Sequence, residues 1–305
     1  MPAGYEARPA TLDDLPAIDE LFVASDVALG VRPEPPSAYL GWRWSQPYVD
    51  VERDTRVLTT QGRIVGFSMG FVEHGAPSVT RCMGGVHPEH VGRGLGGWLV
   101  GFFERHARSI PGVVTTRLGI TEQDAAGHAL VRAAGYLRVR SSFDMGAPLE
   151  VGLAAGIPPE GVTIRPFVAG EERLVWRLEV EAFRDHWDHE DDPPYEAFHG
   201  DWFGDPAGPP VIWIAELDGR PVGEVAWIAS NGVPYVFSVA VLREARRRGI
   251  ATALLRHAMA AAVAEGHPEM TLSVDAESPT GAVRVYEKVG MSVHRTTAIY
   301  ERGVV

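Results

Sequence analysis

The sequence predicts an α/β fold (α+β, with mixed sheets) made of two similar domains in tandem. The order of predicted elements, β-α-α-β-β-β-α-β-α-β, occurs twice along the chain. The two halves also match at a constant offset of 155 positions (241 − 86 for the first pair): Val86 and Val241, Gly94 and Gly249, Gly135 and Gly290, Met145 and Tyr300. A constant offset across several element boundaries indicates a duplicated domain.

Apolar runs predict the strands of the first half, and apolar positions at helical spacing predict its helices. Thr11 followed by Asp14 gives the first helix a capping-box start, and the proline-rich stretch at 32–37 ends it. The predicted elements are a strand at 5–8, helices at 12–28 and 38–45, strands at 55–60, 64–73 and 77–86, a helix at 95–108, a strand at 113–118, a helix at 124–134 and a strand at 136–145.

A Gly/Pro-rich stretch then predicts a linker, so that the predicted domains are residues 1–147 and 162–305, joined by 148–161. The order of elements begins again after it. The fourth and fifth strands of each half flank a helix, and a right-handed crossover makes them parallel. The second half has predicted strands at 162–165, 211–217, 222–229, 235–242, 270–274 and 291–300, and predicted helices at 169–183, 193–203, 250–264 and 279–288.

Composition and charge narrow the class of protein. With 305 residues, 45% hydrophobic and 22% charged, the chain is long enough for two globular domains. A net charge of −12, most of it in the second half, argues against a nucleic-acid partner. No apolar run approaches the ~20 residues of a membrane span, and the N-terminal residues do not resemble a signal peptide. Cys82 is the only cysteine, so we expect no internal disulfide. Together these signs indicate a cytoplasmic protein, and we expect a monomer or homodimer.

The most informative stretch runs from 236 to 264. A β-branched apolar run predicts a buried strand, and a basic, glycine-containing turn leads from it into an Ala/Leu-rich helix. The first N–H groups of a helix lack internal partners, its dipole is positive there, and glycine lets a phosphate approach the backbone. The turn is therefore a candidate anion site; a solvated basic helix start is the alternative.

Residues 246–251 (RRRGIA) resemble the Q/R-x-x-G-x-G/A signature of the GNAT (Gcn5-related) acyltransferases. The order of elements resembles that family too, twice and over nearly the whole chain. In the family this turn holds the pyrophosphate of acyl-CoA, and the pantetheine arm lies between the splayed fourth and fifth strands. The resemblance implies that acetyl-CoA is the co-substrate and that the second half binds it through Val239, Ala240, Val241, Arg246, Arg247, Arg248, Gly249, Ile250, Ala251, Thr252 and Ser278.

The resemblance also implies catalytic groups. A backbone N–H of residues 239–241 aimed at the thioester oxygen would stabilise the oxyanion. Residues 282–290 (AVRVYEKVG) resemble the family's A-x-x-L-Y-x-x-x-G, in which the tyrosine, here Tyr286, reprotonates the leaving thiolate. A phenol with a pKa of about 10 is protonated at neutral pH; core packing is the alternative role. Ser278, before Pro279 at a predicted helix start, stands where the family usually has asparagine.

The acceptor amine needs a base, because an ammonium has no lone pair. Glu224, in the third strand of the second half, is the best-placed carboxylate. Some family members instead have a glutamate where this chain has Tyr235. A chain of water molecules is the alternative base, and an ordinary strand-edge charge is the alternative role for Glu224.

The first half departs from the family pattern. Its turn at 91–96 (VGRGLG) keeps both glycines but loses the leading Arg or Gln, and Val131 stands where the offset places Tyr286 (286 − 155). We therefore expect it to do no chemistry. It can still bind CoA through Gly85, Val86, Gly92, Arg93, Gly94, Leu95 and Gly96. The run also spells G-x-G-x-x-G, but the preceding turn is too long for a dinucleotide site and the repeat does not keep that spacing.

The acidic segment 181–192 (EAFRDHWDHEDD) lies where the family builds its acceptor pocket. Acidic and aromatic residues there would attract a cationic acceptor; a solvated loop is the alternative. His186 and His189 with their acidic neighbours could be imagined as a metal site. Such runs are more often solvated loops, so no metal is expected.

The sequence thus predicts an acetyl-CoA-dependent N-acetyltransferase that acetylates a primary amine of a small molecule by direct attack in a ternary complex. Among tandem GNAT proteins, the layout resembles the mycothiol synthases. There a degenerate first half precedes a second half that acetylates an amine on a cysteinyl-glycoside. Two alternatives stay open: a CoA-binding module without turnover, and a mycothiol synthase.

Overall fold

The computed structural model describes residues 1–34, 36–46, 48–204, 208–230 and 232–304. Pro35, in the stretch predicted to end the first helix, lies outside these ranges. The chain forms two compact units. Unit 1 consists of Met1–Ser142 together with Arg295–Val305, and unit 2 consists of Phe143–His294.

Unit 1 is a mixed sheet with helices on both faces. One face packs against α1 and α2 around Ile18 and Leu40, and the other packs against α4 around Phe103. The strands of its main segment are β1 (Glu6–Arg8), β2 (Thr55–Thr60), β3 (Arg63–Glu73), β4 (Ala76–Val86), β5 (Thr115–Thr121) and the start of β6 (Leu137–Pro148). Its helices are α1 (Leu15–Leu29), α2 (Ser37–Trp44), α3 (Val51–Asp54), α4 (Leu95–Ser109) and α5 (Ala125–Ala133).

Unit 2 repeats this architecture. Its core has a cluster of α8 side chains such as Leu254 on one face of the sheet, and a cluster of α6 and α7 side chains such as Val175 and Phe198 on the other. Besides the end of β6, its strands are β7 (Val162–Pro166), β8 (Val211–Leu217), β9 (Arg220–Ser230), β10 (Val233–Val241), β11 (Glu269–Asp275) and the start of β12 (Ser292–Gly303). Its helices are α6 (Glu172–Phe183), α7 (Tyr195–Phe203), α8 (Ile250–Ala264) and α9 (Ala282–Lys288).

Strand pairing is also repeated. The strand order is β1-β2-β3-β4-β5-β12 in unit 1 and β7-β8-β9-β10-β11-β6 in unit 2. The parallel pairs are β4 with β5 and β10 with β11, as the crossover argument predicts. Each repeat also has an equivalent ion pair near its start: Arg8 bonds Asp14 at 2.6 Å in the first, and Arg165 bonds Glu171 at 2.8 Å in the second.

The last strand of each repeat completes the sheet of the other unit. Most of β12 pairs with β5, from Thr297 opposite Thr121 to Gly303 opposite Thr115. Its Tyr300 is buried, with the hydroxyl 2.9 Å from Nδ1 of His128. The predicted division at 147 and 162 follows the sequence repeat, whereas the compact units divide after Ser142 and before Arg295.

Three predicted helix starts lie three residues too early: those at 12, 169 and 279, where the α-helices begin at Leu15, Glu172 and Ala282. The predicted helix at 279–288 begins at Ala282 instead, because residues 278–281 form a turn closed by the Gly281 N–H on the Ser278 carbonyl, 3.1 Å away. Gly281 then has a φ of 72°, in the left-handed region that favours glycine. The predicted helix at 12–28 begins with a 3-10 turn at Leu12–Asp14. Among the described helices, none is long and apolar enough to cross a membrane.

Candidate active site

In unit 2, β10 and β11 diverge after a short parallel register. Tyr235 lies opposite Thr271 and Val236 opposite Leu272. Beyond this register β10 continues to Val241 and β11 to Asp275. The backbone of residues 237–241 therefore faces a widening gap, which is the site expected for the pantetheine arm.

A β-bulge shapes the diverging part of β10. Its register with β9 shifts between Val236, opposite Trp227, and Ser238, opposite Ala226. A bulge adds one residue to a strand and re-aims the side chains next to it. Phe237 consequently packs with the α6–α7 cluster, and the Ser238 side chain also reaches α6. Val239 and Val241 pack with the α8 cluster on the opposite face.

The start of α8 has the geometry of an anion site. Gly249, the residue before the helix, has a φ of 83°, and no side chain caps the helix. The N–H groups of Ile250, Ala251 and Thr252 precede the first internal helical bond, which Ala253 donates to Gly249. Arg247 has a φ of 62°, which is uncommon for a residue with a side chain.

The three arginines of this turn differ in their surroundings. Arg247 and Arg248 are exposed, and we expect them to meet phosphate groups. The Arg246 guanidinium instead donates to the Val241 carbonyl at 3.0 Å, to Asp185 at 2.9 Å and to the Ala182 carbonyl at 2.8 Å. Arg246 thus fastens the turn to the end of α6.

Tyr286 lies on α9 and packs against the α8 cluster, the cluster that Val239 and Val241 also join. Burial, with a smaller contribution from Tyr235, raises its phenol pKa to about 12. The phenol therefore holds its proton across the neutral range. Ser278 lies in the turn before α9, where its hydroxyl is 2.9 Å from that of Thr280.

Glu224 belongs to a buried acid pair. The Ser238 Oγ lies 2.6 Å from Oε1 of Glu224 and 3.0 Å from Oε2 of Glu179 on α6. Glu224 has no exposed surface, and its Oε2 has no hydrogen-bond partner among the described residues. Burial raises the Glu224 pKa to about 7, although Ser238 and the Ala240 backbone oppose the shift. Burial and the neighbouring Glu224 raise the Glu179 pKa well above its ordinary value.

The acid pair and Tyr286 occupy opposite faces of β10. The carboxyl groups lie on the α6 face, and the phenol lies with the α8 cluster. Sequence reasoning named Glu224 and Tyr286 but missed Glu179 and Ser238. Helical spacing places Glu179 on the buried face of α6, four residues after Val175 and three before Ala182, and this signal was available in the sequence. The bulge that turns Ser238 toward it has no clear sequence signal.

Unit 1 keeps the backbone geometry of the anion site but has apolar residues in place of Glu224 and Tyr286. Gly92 and Gly94 have φ values of 80° and 82°, and Gly94 immediately precedes α4. The Arg93 guanidinium donates to the Tyr5 hydroxyl at 3.2 Å. Phe67 occupies the position in unit 1 that corresponds to Glu224 in unit 2. Phe67 pairs with Gly85, and Glu224 pairs with Ala240, which is the residue 155 positions after Gly85.

The other residues predicted to bind CoA in unit 1 lie at the end of β4 and at the start of α4. Gly85 and Val86 end β4, opposite Phe67 and Gly66. Leu95 is buried at the start of α4, and a Cβ on Gly96 would lie 2.8 Å from a Leu130 methyl group. A larger residue at 96 would therefore have to displace the Leu130 side chain, independently of any ligand.

The acidic segment 181–192 is partly neutralised by the protein itself. Asp185 bonds Arg243 and Arg246, and Asp192 bonds Arg184 at 2.9 Å and His189 at 3.1 Å. The three pairs with arginine leave less free negative charge for an acceptor than the sequence suggested. In the part of the chain that the structure describes, no three His, Cys, Asp or Glu side chains cluster as metal ligands would.

Two repeats of a mixed sheet, each with a diverging parallel pair and a glycine-preceded helix beside it, define the acyltransferase class. The model of the Acetyltransferase (GNAT) family matches residues 15–136 and 173–291. The chain therefore belongs to the GNAT family, with two GNAT domains in tandem, and is an acyltransferase.

Named relatives and solved structures agree with this family. The mycothiol acetyltransferase of Thermobispora bispora is 31% identical over 96% of this chain and 97% of its own length. That of Streptomyces avermitilis is 31% identical over 70% of this chain and 69% of its own. A GCN5-related N-acetyltransferase from Sphaerobacter thermophilus, 28% identical, superposes with a TM-score of 0.85 over 100% of this chain and 97% of that one. A tandem GNAT protein of the clavulanic acid pathway, 19% identical, shares the fold with a TM-score of 0.76 over 99% of both chains.

Proposed function

We propose that this protein is an acetyl-CoA-dependent N-acetyltransferase that acetylates the primary amine of a small molecule, with the chemistry in unit 2. The observation that carries the proposal is the buried Glu224, bonded by the Ser238 hydroxyl beside the diverging part of β10. A carboxyl with a pKa of about 7 can take a proton from an ammonium at physiological pH, which a carboxyl at its ordinary pKa does poorly.

The residues of unit 2 fit acetyl-CoA. The free N–H groups at the start of α8 and the exposed Arg247 and Arg248 suit a diphosphate. The left-handed Gly249 has no side chain to block the approach. Residues 237–241 pair with β9 on one side only, and their other side can bond the amide-rich arm as a neighbouring strand would. When bound, acetyl-CoA supplies an activated acetyl group as a thioester.

The protein's own groups then move the protons. Glu224 takes up the proton that the ammonium must lose before its nitrogen can attack, and releases it to solvent before the next turnover. Tyr286 holds a proton on its phenol at neutral pH and gives it to the thiolate as the thiolate leaves. The nitrogen loses two protons in all: one is finally carried by the thiol, and the other goes to solvent.

The relatives favour a particular acceptor. The mycothiol acetyltransferase of Thermobispora bispora matches the chain over nearly its full length. We therefore propose an amine on a cysteinyl-glycoside as the first acceptor to test. Unit 1 has Phe67 and Val131 in place of Glu224 and Tyr286, which favours a binding role without turnover for that unit.

The test is a thiol-release assay with acetyl-CoA and a panel of amines that includes a cysteinyl-glycoside, run on the full chain. We expect turnover of at least one amine, loss of most of it in Glu224→Gln, and retention of it in Phe67→Leu, the matched change in unit 1. Acetyl-CoA binding without turnover of any amine would leave the non-catalytic CoA-binding module as the better assignment.

A further inference from the structure

We propose that Glu179, Ser238 and Glu224 form a proton relay with one resident proton, in which Glu179 receives the acceptor's ammonium and Glu224 stores the proton that the ammonium gives up. This proposal rests on the proposed function, because it concerns the same acceptor site. It adds two residues to that site and specifies a cationic amine as the acceptor.

The first argument is a count of hydrogens. A serine hydroxyl has a single hydrogen to donate and can also accept. Ser238 Oγ lies within bonding distance of one oxygen of each glutamate, at 2.6 and 3.0 Å. Its hydrogen can point to only one of them. The other contact is a hydrogen bond only if that carboxyl donates to the serine oxygen, which requires it to be protonated.

The distances suggest the direction of the relay. Hydrogen bonds from a hydroxyl to an ionised carboxylate are shorter than those between neutral groups. The shorter contact is the one to Glu224, so the hydroxyl donates to an ionised Glu224 and a protonated Glu179 donates to the hydroxyl. The resting site then holds one proton and one negative charge.

The second argument is electrostatic. The charge that acts on Glu179 is that of Glu224 from β9, and the polar groups around the pair are the Ser238 hydroxyl and the Ala240 backbone, both from β10. Two carboxylates that contact the same serine hydroxyl in a buried site cannot both be ionised without a compensating cation. The single negative charge that remains is available to an ammonium.

The third argument is access. Glu224 has no exposed surface, whereas Glu179 on α6 is only partly buried. An acceptor arriving from solvent therefore meets Glu179 first.

The proton steps balance. The N–H bond of the ammonium breaks, and its proton joins the free oxygen of Glu179. The proton already on Glu179 moves to the Ser238 oxygen, while the Ser238 hydroxyl proton moves to Glu224. The result is a neutral amine, with Glu179 still protonated, Ser238 unchanged and Glu224 newly protonated. The charge of the amine falls by one and that of Glu224 rises by one, so no further reactant is needed.

The experiment combines kinetics with a count of protonated carboxyl groups. We expect Glu179→Gln and Ser238→Ala each to lower kcat/KM for the amine by about 10- to 1000-fold, with KM for acetyl-CoA unchanged. Ser238→Thr keeps the hydroxyl and should recover most of the rate. Glu172→Gln, the same change in the first turn of α6 and outside the acid pair, is the matched control and should keep the wild-type rate.

Infrared spectroscopy of the unliganded protein supplies a readout that needs no substrate. At pH 9, well above the pKa of about 7 of Glu224, the wild type should show the C=O band of one buried protonated carboxyl, and Glu179→Gln should lose it. The pH profile of residual kcat/KM in Glu179→Gln should keep its limb at about 7, because Glu224 still titrates.

Three results would overturn the relay: a wild-type rate in Glu179→Gln, no rescue by Ser238→Thr, or an unchanged infrared band. Each would leave the proposed function intact. If the wild type turns over no amine, the proposed function fails, and the infrared band alone then decides whether the pair shares a proton.

Discussion

Phe22 and Phe67 pack edge to face in unit 1, with ring centroids 6.3 Å apart. They stand at the positions of Glu179 and Glu224 in unit 2, since both pairs are separated by 157 (179 − 22 and 224 − 67). The same place in the fold thus holds an acid pair in one repeat and an aromatic pair in the other. Met83, at the position of Ser238 (238 − 155), packs with them. An apolar core occupies the site in unit 1.

The stability of the protein should fall with rising pH because of Glu224. Its folded-state pKa of about 7 lies above the value of an exposed glutamate, so between these two values the native state binds more protons than the unfolded chain. The stabilisation is complete at low pH and is lost as the pH rises through about 7. We expect the difference in unfolding free energy between wild type and Glu224→Gln to change by up to about 3 kcal/mol from pH 5 to pH 9.

Urea unfolding at several pH values measures this change. The Phe67→Leu variant of unit 1 serves as the control, since it should shift stability equally at every pH. Parallel curves for wild type and Glu224→Gln would mean that the carboxyl titrates as an exposed one does.

Tyr286→Phe should reduce kcat by about 10- to 1000-fold and leave binding of acetyl-CoA nearly unchanged, since only the proton donor is removed. Because the phenol pKa is about 12, the wild-type rate should show no loss from tyrosine ionisation up to about pH 10. Single-turnover thiol release gives the rate, and calorimetry gives the affinity. An unchanged kcat would assign Tyr286 to core packing.

Gly249→Val and Gly94→Val make a matched pair. Both glycines have φ values near 80°, and a Cβ on each would meet a proline ring, Pro159 at 3.5 Å and Pro2 at 3.6 Å. The backbone strain, on the order of 1–3 kcal/mol, should therefore be similar. We expect Gly249→Val to abolish acetyl-CoA turnover and Gly94→Val to keep it.

Calorimetric stoichiometry then tells whether unit 1 binds CoA. Loss of one binding site in Gly94→Val would show that unit 1 is a binder, and retention of all sites would show that it is not. Turnover lost through Gly94 and kept through Gly249 would place the chemistry in unit 1.

Arg246→Lys should destabilise the protein by about 1–3 kcal/mol, because lysine cannot reproduce the three directions in which the guanidinium donates. Arg248→Lys, at an exposed neighbour, should change stability by less than about 0.5 kcal/mol. Thermal unfolding measures both. Equal melting temperatures would show that the bonds to Val241, Asp185 and Ala182 add little.

The sequence predicts most elements because their signals are local. The strand at 55–60 is found at Thr55–Thr60, and the strand at 211–217 at Val211–Leu217. The start of α9 was missed because the Ser278-Pro279 pair is an equally good turn signal, and Gly281 in the left-handed region decides the outcome. A residue's type does not reveal this choice.

Of the acid pair, only Glu224 was predicted from the sequence. Glu224 is conspicuous as a charge in an otherwise apolar strand, whereas Glu179 lies on an amphipathic helix where glutamate is common. Their meeting depends on the packing of α6 against β10 and on one extra residue in that strand. Both are tertiary features. Similarly, the sequence repeat gave no sign that the last strands are exchanged, since each repeat contains a strand of the right kind at its end.

That exchange has a consequence for how the chain is made. In unit 1, residues 297–303 form the strand that pairs with β5. The ribosome adds these residues after every residue of unit 2. At typical rates of about 5–20 residues per second, the N-terminal unit waits on the order of ten seconds with an unpaired β5 edge, while unit 2 emerges with all of its strands available. Unit 2 can therefore finish folding first, although it is synthesised second. Unit 1 is complete only when Tyr300 packs beside His128.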